Sequence, residues 1–338
     1  MPFDEYMESC LYDPADGFFA TGPLRSSAGG DFLTSPEVSR WFGRILGRFV
    51  TAEQARLAPA SAALVEVGGG SGSLLAPLLE ECGAAAPGEV WAVEASPAAR
   101  EALAGMLPRQ RVVDDPGELP PVLGGVVIAN ELLDNLPVAL ATRQGDGWAE
   151  LRVAVSGETL TLIPVPPRPH VAAWADRYGA ATPVGGQVEV EQAAAAWVAA
   201  MVGRLTSGTL VVVDYGGTSE ELAGRRAEGT LRTYRGHHLG PDPLLEPGAT
   251  DITVDVDFTA MRDAAEAAGA AVTVLRQDDF LAEWGLRDAV GALRAREMAC
   301  ARAGDTIGQL EARDERIGAE TLLHPRGLGD FRVLLARH

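Results

Sequence analysis

The sequence predicts an α/β fold built on an open, doubly wound parallel sheet. Three observations carry this. Short apolar runs at 64–67, 90–93, 126–129 and 209–213 end at acidic residues or glycine turns, with helical patterning between the early ones. A glycine-rich turn, Glu66-Val-Gly68-Gly-Gly70-Ser-Gly72, joins the first run to a helix. Between 138 and 167 apolar and polar residues alternate around Gly145-Asp146-Gly147 and Gly157, which reads as an antiparallel meander inserted into the winding.

Composition sets outer bounds. The chain has 338 residues, 47% of them hydrophobic, enough for one large domain with insertions or for two domains. No uninterrupted apolar run approaches the roughly 18–20 residues of a membrane span. The first residues, Met-Pro-Phe-Asp-Glu-Tyr, carry neither a basic nor an apolar leader, so the expected location is cytoplasmic. Cys10, Cys82 and Cys300 lie too far apart for a disulfide framework or a zinc site, and His237-His238 is the one histidine cluster. A formal charge of −19 disfavours nucleic acid and favours a basic partner.

Taken in order, the chain opens with a short helix bearing Tyr6, Met7 and Leu11, ended by Asp13-Pro14. A Gly/Ser-rich stretch leads to Gly30-Asp31-Phe32-Leu33-Thr34-Ser35-Pro36. Thr34 or Ser35 caps a helix over 36–56 whose Val38, Trp41, Phe42, Ile45, Leu46 and Phe49 form a core stripe. Residues 1–58 are thus expected to be a helical cover and 59–338 the main domain. Asp31 and Phe32, just before a helix N-terminus, either close over a bound cofactor or form a plain capping turn.

The glycine turn narrows the cofactor. A dinucleotide uses Gly-x-Gly-x-x-Gly and lays its pyrophosphate on the helix N-terminus. Here the spacing is Gly68-x-Gly70-x-Gly72, preceded by Glu66, a carboxylate that repels a pyrophosphate. S-adenosylmethionine (SAM) instead presents an ammonium, which needs an acceptor, and a carboxylate, which needs N–H donors. A glycine turn alone is weak evidence, but the following strands add to it. Val90-Trp91-Ala92-Val93 ends in Glu94, placed to accept both ribose hydroxyls. Arg111-Val112-Val113 ends in Asp114-Asp115, either of which can take the adenine amino group. Three acidic strand ends in series resemble a class I SAM-dependent methyltransferase.

The fourth strand runs into Asn130-Glu131-Leu132-Leu133-Asp134-Asn135. In a 3-2-1-4-5 arrangement this strand follows the reversal of strand order, where ligands bind outside the carboxyl ends. Asn130, Glu131 and Asp134 therefore sit where a transferred methyl meets its acceptor. Residues 138–188 read as an insertion, with helices at about 170–178 and 189–206 after the meander. Its apolar surface is a candidate partner or self-association site. The fifth strand, 209–215, is followed by a polar loop over 218–250, a helix over 255–268, a strand over 271–276, further helices and a last strand near 331–335.

Six motifs in this order, Gly-Asp-Phe-Leu-Thr-Ser-Pro-Glu-Val-Ser (30–39), Glu-Val-Gly-Gly-Gly-Ser-Gly-Ser-Leu (66–74), Ala-Asn-Glu-Leu-Leu-Asp-Asn-Leu-Pro-Val (129–138), Val-Asp-Tyr-Gly (213–216), Gly-Thr-Leu-Arg-Thr-Tyr (229–234) and Asp-Ile-Thr (251–253), resemble the MidA family across nearly the whole chain. The resemblance implies a class I methyltransferase sheet of order 3-2-1-4-5-7-6. It also implies a SAM-dependent protein arginine N-methyltransferase that makes symmetric dimethylarginine, as mitochondrial members do on a core subunit of respiratory complex I. The implied cofactor contacts are Glu66, Gly68, Gly70, Gly72, Glu94, Asp114, Asp31 and Phe32, with Asn130, Glu131 and Asp134 on the acceptor side. The implied partner is a protein carrying the acceptor arginine, without nucleic acid or membrane insertion and with a homodimer as one possible state. The chain departs from the family pattern at Arg44, at Asn135 and at Val254-Asp255, where an Ala-His pair is usual, and it starts at the family's first motif, without a preceding helix.

A guanidinium is charged and planar and must be pinned, aimed and relieved of a proton. If the segment after strand four is helical, Glu131 and Asp134 share a face. Glu131 then orients the guanidinium, and Asp134 supports it or takes the proton. The alternatives are methyl transfer to another acceptor, a SAM-binding assembly factor without turnover, and, given the glycine spacing, a weakly favoured NAD-dependent oxidoreductase.

Overall fold

Seven strands form the central sheet of the computed structural model, which describes residues 1–21, 34–57, 62–120, 123–145, 147–235 and 238–338. They are β1 (Ala63–Val67), β2 (Glu89–Val93), β3 (Val112–Val113), β4 (Leu123–Asn130), β5 (Leu205–Asp214), β6 (Ala271–Arg276) and β7 (Arg332–Arg337). Their order is β3-β2-β1-β4-β5-β7-β6. The first five are parallel, and β7 runs antiparallel to both β5 and β6.

All five residues of β1 are buried, because helices cover both faces of the sheet. Leu64, Val126, Ile128, Val211 and Val213 pack on one side with Phe42, Ile45, Leu75 and Leu78. Val65, Val67, Val127, Leu210 and Val212 pack on the other with Val198, Met201, Phe258 and Met261. The alternation of strand residues between these two cores is the period of two made visible. The winding reverses between β1 and β4, and the carboxyl ends of β1, β2, β4 and β5 open together there.

The insertion is a four-stranded antiparallel sheet. Ala139–Gln144, Gly147–Ser156 and Thr159–Val165 form the expected meander, and Gln187–Val190 pairs with its first strand. The helix expected over 189–206 is therefore shorter, Gln192–Arg204, because Glu189 and Val190 are spent in that strand and Leu205 opens the next one. The N-terminal helix Phe3–Tyr12 lies on this sheet. The Met1 ammonium donates to the Val153 carbonyl at 2.7 Å, and Phe3, Met7 and Leu11 share a core with Val138, Leu140, Val153, Ile252 and Val254.

Two other expectations change. The helix over 36–56 is two, Ser35–Val38 and Trp41–Arg56, broken where Ser39 is extended. The loop over 218–250 holds a helix, Ser219–Ala223, and the strands Arg232–Arg235 and His238–Leu239. The first of these pairs with Asp251–Thr253. Asp31, Phe32 and His237 fall outside the described residues. No described helix is long and apolar enough to cross a membrane.

Candidate active site

A cleft of about 1180 Å³ opens at the carboxyl ends of β1, β2, β4 and β5. Its first half is built by the turn after β1. Gly68, Gly70 and Gly72 have φ of 75°, 51° and 80°, a region that favours glycine. Gly68 and Gly70 line the cleft. A Cβ on Gly72 would stand 1.9 Å from Met106 Cε, so this glycine closes the turn from behind.

Glu66 reaches the cleft from within β1. It is 3% exposed, and its Oε2 has no hydrogen-bond partner among the described residues. Burial, reinforced by Glu94, pushes its carboxyl up to about 8. Glu94, just past β2, accepts the Gly70 N–H at 2.9 Å and the Ser96 N–H at 2.8 Å. It thus ties the glycine turn to the next strand, and burial still raises its pKa despite these bonds. A carboxylate has about four acceptor positions, so both oxygens retain capacity for hydroxyls. Asp114 stands at the rim with its side chain 62% exposed and Arg100 at 3.8 Å.

These residues fit SAM. A buried carboxylate with an orphaned oxygen suits the ammonium of the cofactor's amino-acid end. The glycine backbone admits close approach, and Glu94 and Asp114 stand in line beyond it.

The second half begins at the end of β4. Glu131 has φ 48°, the left-handed region, unusual for a residue with a side chain. Its N–H donates to the Val213 carbonyl at 2.8 Å, and its Oε1 accepts from the Ser35 N–H at 3.0 Å and the Asn130 amide at 3.3 Å. The helical geometry expected for Glu131 and Asp134 is therefore absent. Glu131 sits in a strained turn, and Asp134 follows in the 3-10 turn Leu133–Asn135. Both nevertheless line the cleft. Burial pushes Glu131 up to about 8 and Asp134 up to about 6.

Asp134 Oδ2 accepts a short hydrogen bond from the Tyr215 hydroxyl. Its Oδ1 and the Asn130 Oδ1 are buried without a well-formed hydrogen bond among the described residues. Beneath them Asp214, fully buried, accepts from the backbone N–H groups of Leu133, Asp134 and Tyr215 and so anchors the turn. Burial, with Asp134 and Glu131 nearby, drives Asp214 well above the usual carboxylate range.

Sequence reasoning placed Glu66, Glu94, Asp114, Asn130, Glu131 and Asp134 here, and all six line the cleft. It did not assign roles to Tyr12, Asp214, Tyr215, Arg232 or Asp255. An Asp-Tyr pair closing a strand was the available signal for Asp214 and Tyr215. Asn135, a point of departure from the family, spends its amide on Asp251 Oδ1 at 2.7 Å and the Ile252 carbonyl at 3.1 Å, which locks the turn to the strand Asp251–Thr253. Among the described residues no group of three or more His, Cys, Asp or Glu is arranged to hold a metal.

Comparisons with known proteins agree with this geometry. A family model for S-adenosyl-L-methionine-dependent methyltransferases matches residues 45–275. The mitochondrial protein arginine methyltransferase NDUFAF7 of Mus musculus is 27% identical, aligned over 96% of this chain and 78% of its own length. The Homo sapiens protein of that name is 28% identical over 83% and 69%. A COG1565 superfamily protein from Burkholderia thailandensis, solved with S-adenosyl-homocysteine bound, superimposes with a TM-score of 0.84 at 30% identity, covering 100% of this chain and 88% of that one.

The expectation of a cytoplasmic location is corrected by the same comparisons. The curated relatives that this chain matches are named as mitochondrial proteins, not cytoplasmic ones. With its fold, its glycine turn and a match spanning most of its length, the chain belongs to the S-adenosyl-L-methionine-dependent methyltransferase family.

Proposed function

We propose that the acceptor is the guanidinium of a protein arginine, and that Asn130, Glu131 and Asp134 hold it. SAM, when bound, supplies an electrophilic methyl: the acceptor nitrogen's lone pair forms the new N–C bond, the C–S pair stays on sulfur as S-adenosylhomocysteine (SAH), and a proton leaves the nitrogen. Glu66 takes the cofactor's ammonium, the turn from Gly68 to Gly72 faces its carboxylate, Glu94 takes the ribose hydroxyls and Asp114 the adenine edge.

The observation that carries the acceptor is the pair of buried oxygens, Asn130 Oδ1 and Asp134 Oδ1, that lack a well-formed hydrogen bond among the described residues, beside Glu131. Leaving such atoms unpaired is costly, and a guanidinium offers five N–H donors in a fixed fork. Glu131 supplies the charge that aims the fork, and its left-handed backbone turns it toward the cleft. Asp134, held by Tyr215, takes the proton. The relatives named as protein arginine methyltransferases support this acceptor; the carrier proposed from the motif resemblance is a respiratory complex I subunit homologue, modified to symmetric dimethylarginine.

The test is methyl transfer from labelled SAM to arginine peptides and to small amines, with wild type and Glu131→Gln. The expected result is transfer to arginine, a loss of about a hundredfold in the variant, the scale of one missing electrostatic contact, and an SAH affinity within twofold of wild type. A near wild-type rate for Glu131→Gln would sink the clamp.

A further inference from the structure

Beyond the carboxylates of the acceptor half lies a cation that the reaction as derived does not use. Arg232 opens the strand Arg232–Arg235, and its guanidinium lies over the Tyr215 ring, 5.6 Å from the centroid. Its Nη2 pairs closely with Asp255 Oδ1. Asp255 is 2% exposed, and it is held in turn by Arg225, 2.5 Å from its other oxygen, and by the Thr230 hydroxyl, which accepts the Asp255 N–H at 3.1 Å. The Tyr215 ring also meets Phe331 edge to face, at 5.5 Å and 63°. The Tyr215 hydroxyl then reaches Asp134.

We propose that Arg232 is a positioning residue for methyl transfer: clamped by Asp255 across the face of Tyr215, it fixes the ring whose hydroxyl holds Asp134 and supplies the positive charge that keeps Asp134 an ionised proton acceptor. The proposal rests on the arginine-acceptor reading for its catalytic half. Its logic is charge balance. Asp134 is faced by Glu131 on its own turn, Asp214 at the end of β5, Tyr215 just beyond it and Tyr12 from the N-terminal helix; each is anionic when ionised, and each interacts unfavourably with a second negative charge. Burial raises Asp134; the Tyr215 hydroxyl and the backbone N–H groups of Asp134 and Asn135 lower it, and the Arg232 charge lowers it further. The guanidinium also brings its own geometry. An ammonium at this position keeps the charge and loses the broad guanidinium that reaches over Tyr215 while pairing with Asp255 Oδ1.

Asp255 supplies the anion that Arg232 needs at this depth. The Asp255 carboxylate serves two arginines, one on each oxygen.

The experiment reads Asp134 directly. The full chain is labelled with carbon-13 at the Asp carboxyl, Asp134 is assigned by the resonance missing in Asp134→Asn, and its midpoint is followed in wild type, Arg232→Lys and Arg232→Gln. SAH affinity and the thermal transition serve as controls for folding. The expected result is a midpoint raised by roughly one unit in Arg232→Gln, the low end of what one nearby charge does, and restored in Arg232→Lys. In parallel, transfer to an arginine peptide should lose its acidic side in Arg232→Gln, with kcat lowered more than KM is raised. Arg232→Lys should keep the pH profile and lose kcat. An Asp134 midpoint unmoved in a folded, SAH-binding Arg232→Gln overturns the proposal. A protein that methylates no arginine peptide, while its Asp134 midpoint follows Arg232, sinks the acceptor reading and supports the coupling. If Arg232→Gln does not fold, the pH profile of Arg232→Lys decides, and a shifted acidic side there overturns the charge argument.

Discussion

Glu66 shows how a single buried carboxyl can be read as a binding device. With one oxygen unpartnered and its pKa pushed up to about 8 by burial and by Glu94, it holds a proton at neutral pH while no cation is beside it. An arriving ammonium favours the ionised form, so the complex binds fewer protons than the free protein, and linkage then requires affinity to rise with pH. SAH should bind more tightly as pH climbs from about 6 toward 8, by up to roughly tenfold per unit within the window, with proton release seen as a buffer-dependent calorimetric enthalpy. Glu66→Gln should bind more weakly with a flatter dependence. A wild-type affinity independent of pH over that range would remove Glu66 from the ammonium. At this scale the sequence was informative where chemistry sits at or near strand ends: Glu66 interrupts an apolar run, and Glu94, Glu131 and Asp134 follow one, so all four are visible without a fold. Arg232 and Asp255 were not, because their roles arise from a short strand that folds back over Tyr215, and nothing local in Gly-Thr-Leu-Arg-Thr-Tyr announces that approach.

Between elements, the glycine turn depends on how closely two helices pack. Trp41–Arg56 lies against Leu75–Cys82, the helix that the turn feeds, and glycines make the contact. A Cβ on Gly43 would stand 2.6 Å from the Leu74 carbonyl oxygen, and one on Gly47 would stand 2.7 Å from that of Leu78. Both obstacles are backbone and cannot rotate away. The ion pairs beside them, Arg40 with Glu80 at 2.5 Å and Arg48 with Glu81 at 2.9 Å, are solvent-exposed or half-buried and add little. Gly47→Ala should therefore force the helices apart, lowering stability by about 1–3 kcal/mol and weakening SAH binding, read by chemical unfolding and calorimetry on the same sample. Unchanged SAH affinity at lowered stability would show that the turn holds its shape without this helix. The long elements were legible because their periods are, strands as apolar runs and helices as stripes. The break at Ser39 and the strands Gln187–Val190, Arg232–Arg235 and His238–Leu239 were not, since two to four residues are too few to display a period and their pairing partners are distant in sequence.

Across the whole molecule the cleft has two halves that share the strand ends of the central sheet and differ in what closes them. The cofactor half rests on the central sheet and its two helical layers. The acceptor half is closed by a smaller core, in which the N-terminal helix joins the inserted sheet and the strand Asp251–Thr253 through Phe3, Met7, Leu11, Leu140, Val153 and Ile252. Tyr12, at the end of that helix, lines the cleft and donates to the Asn135 carbonyl at 3.3 Å. Met7 is fully buried in this core, and its truncation costs about 2–5 kcal/mol. That cost falls on the core that joins the N-terminal helix to the inserted sheet. Met7→Ala should therefore loosen the acceptor half selectively, raising the KM for an arginine peptide by about tenfold or more, the equivalent of 1.4 kcal/mol, with SAH affinity kept within twofold. Hydrogen exchange should accelerate in 139–165 and 251–254 and stay protected in β1, β4 and β5. If SAH affinity falls in step with peptide affinity, the two halves unfold as one cooperative unit, and the insertion is then part of the cofactor site's own support.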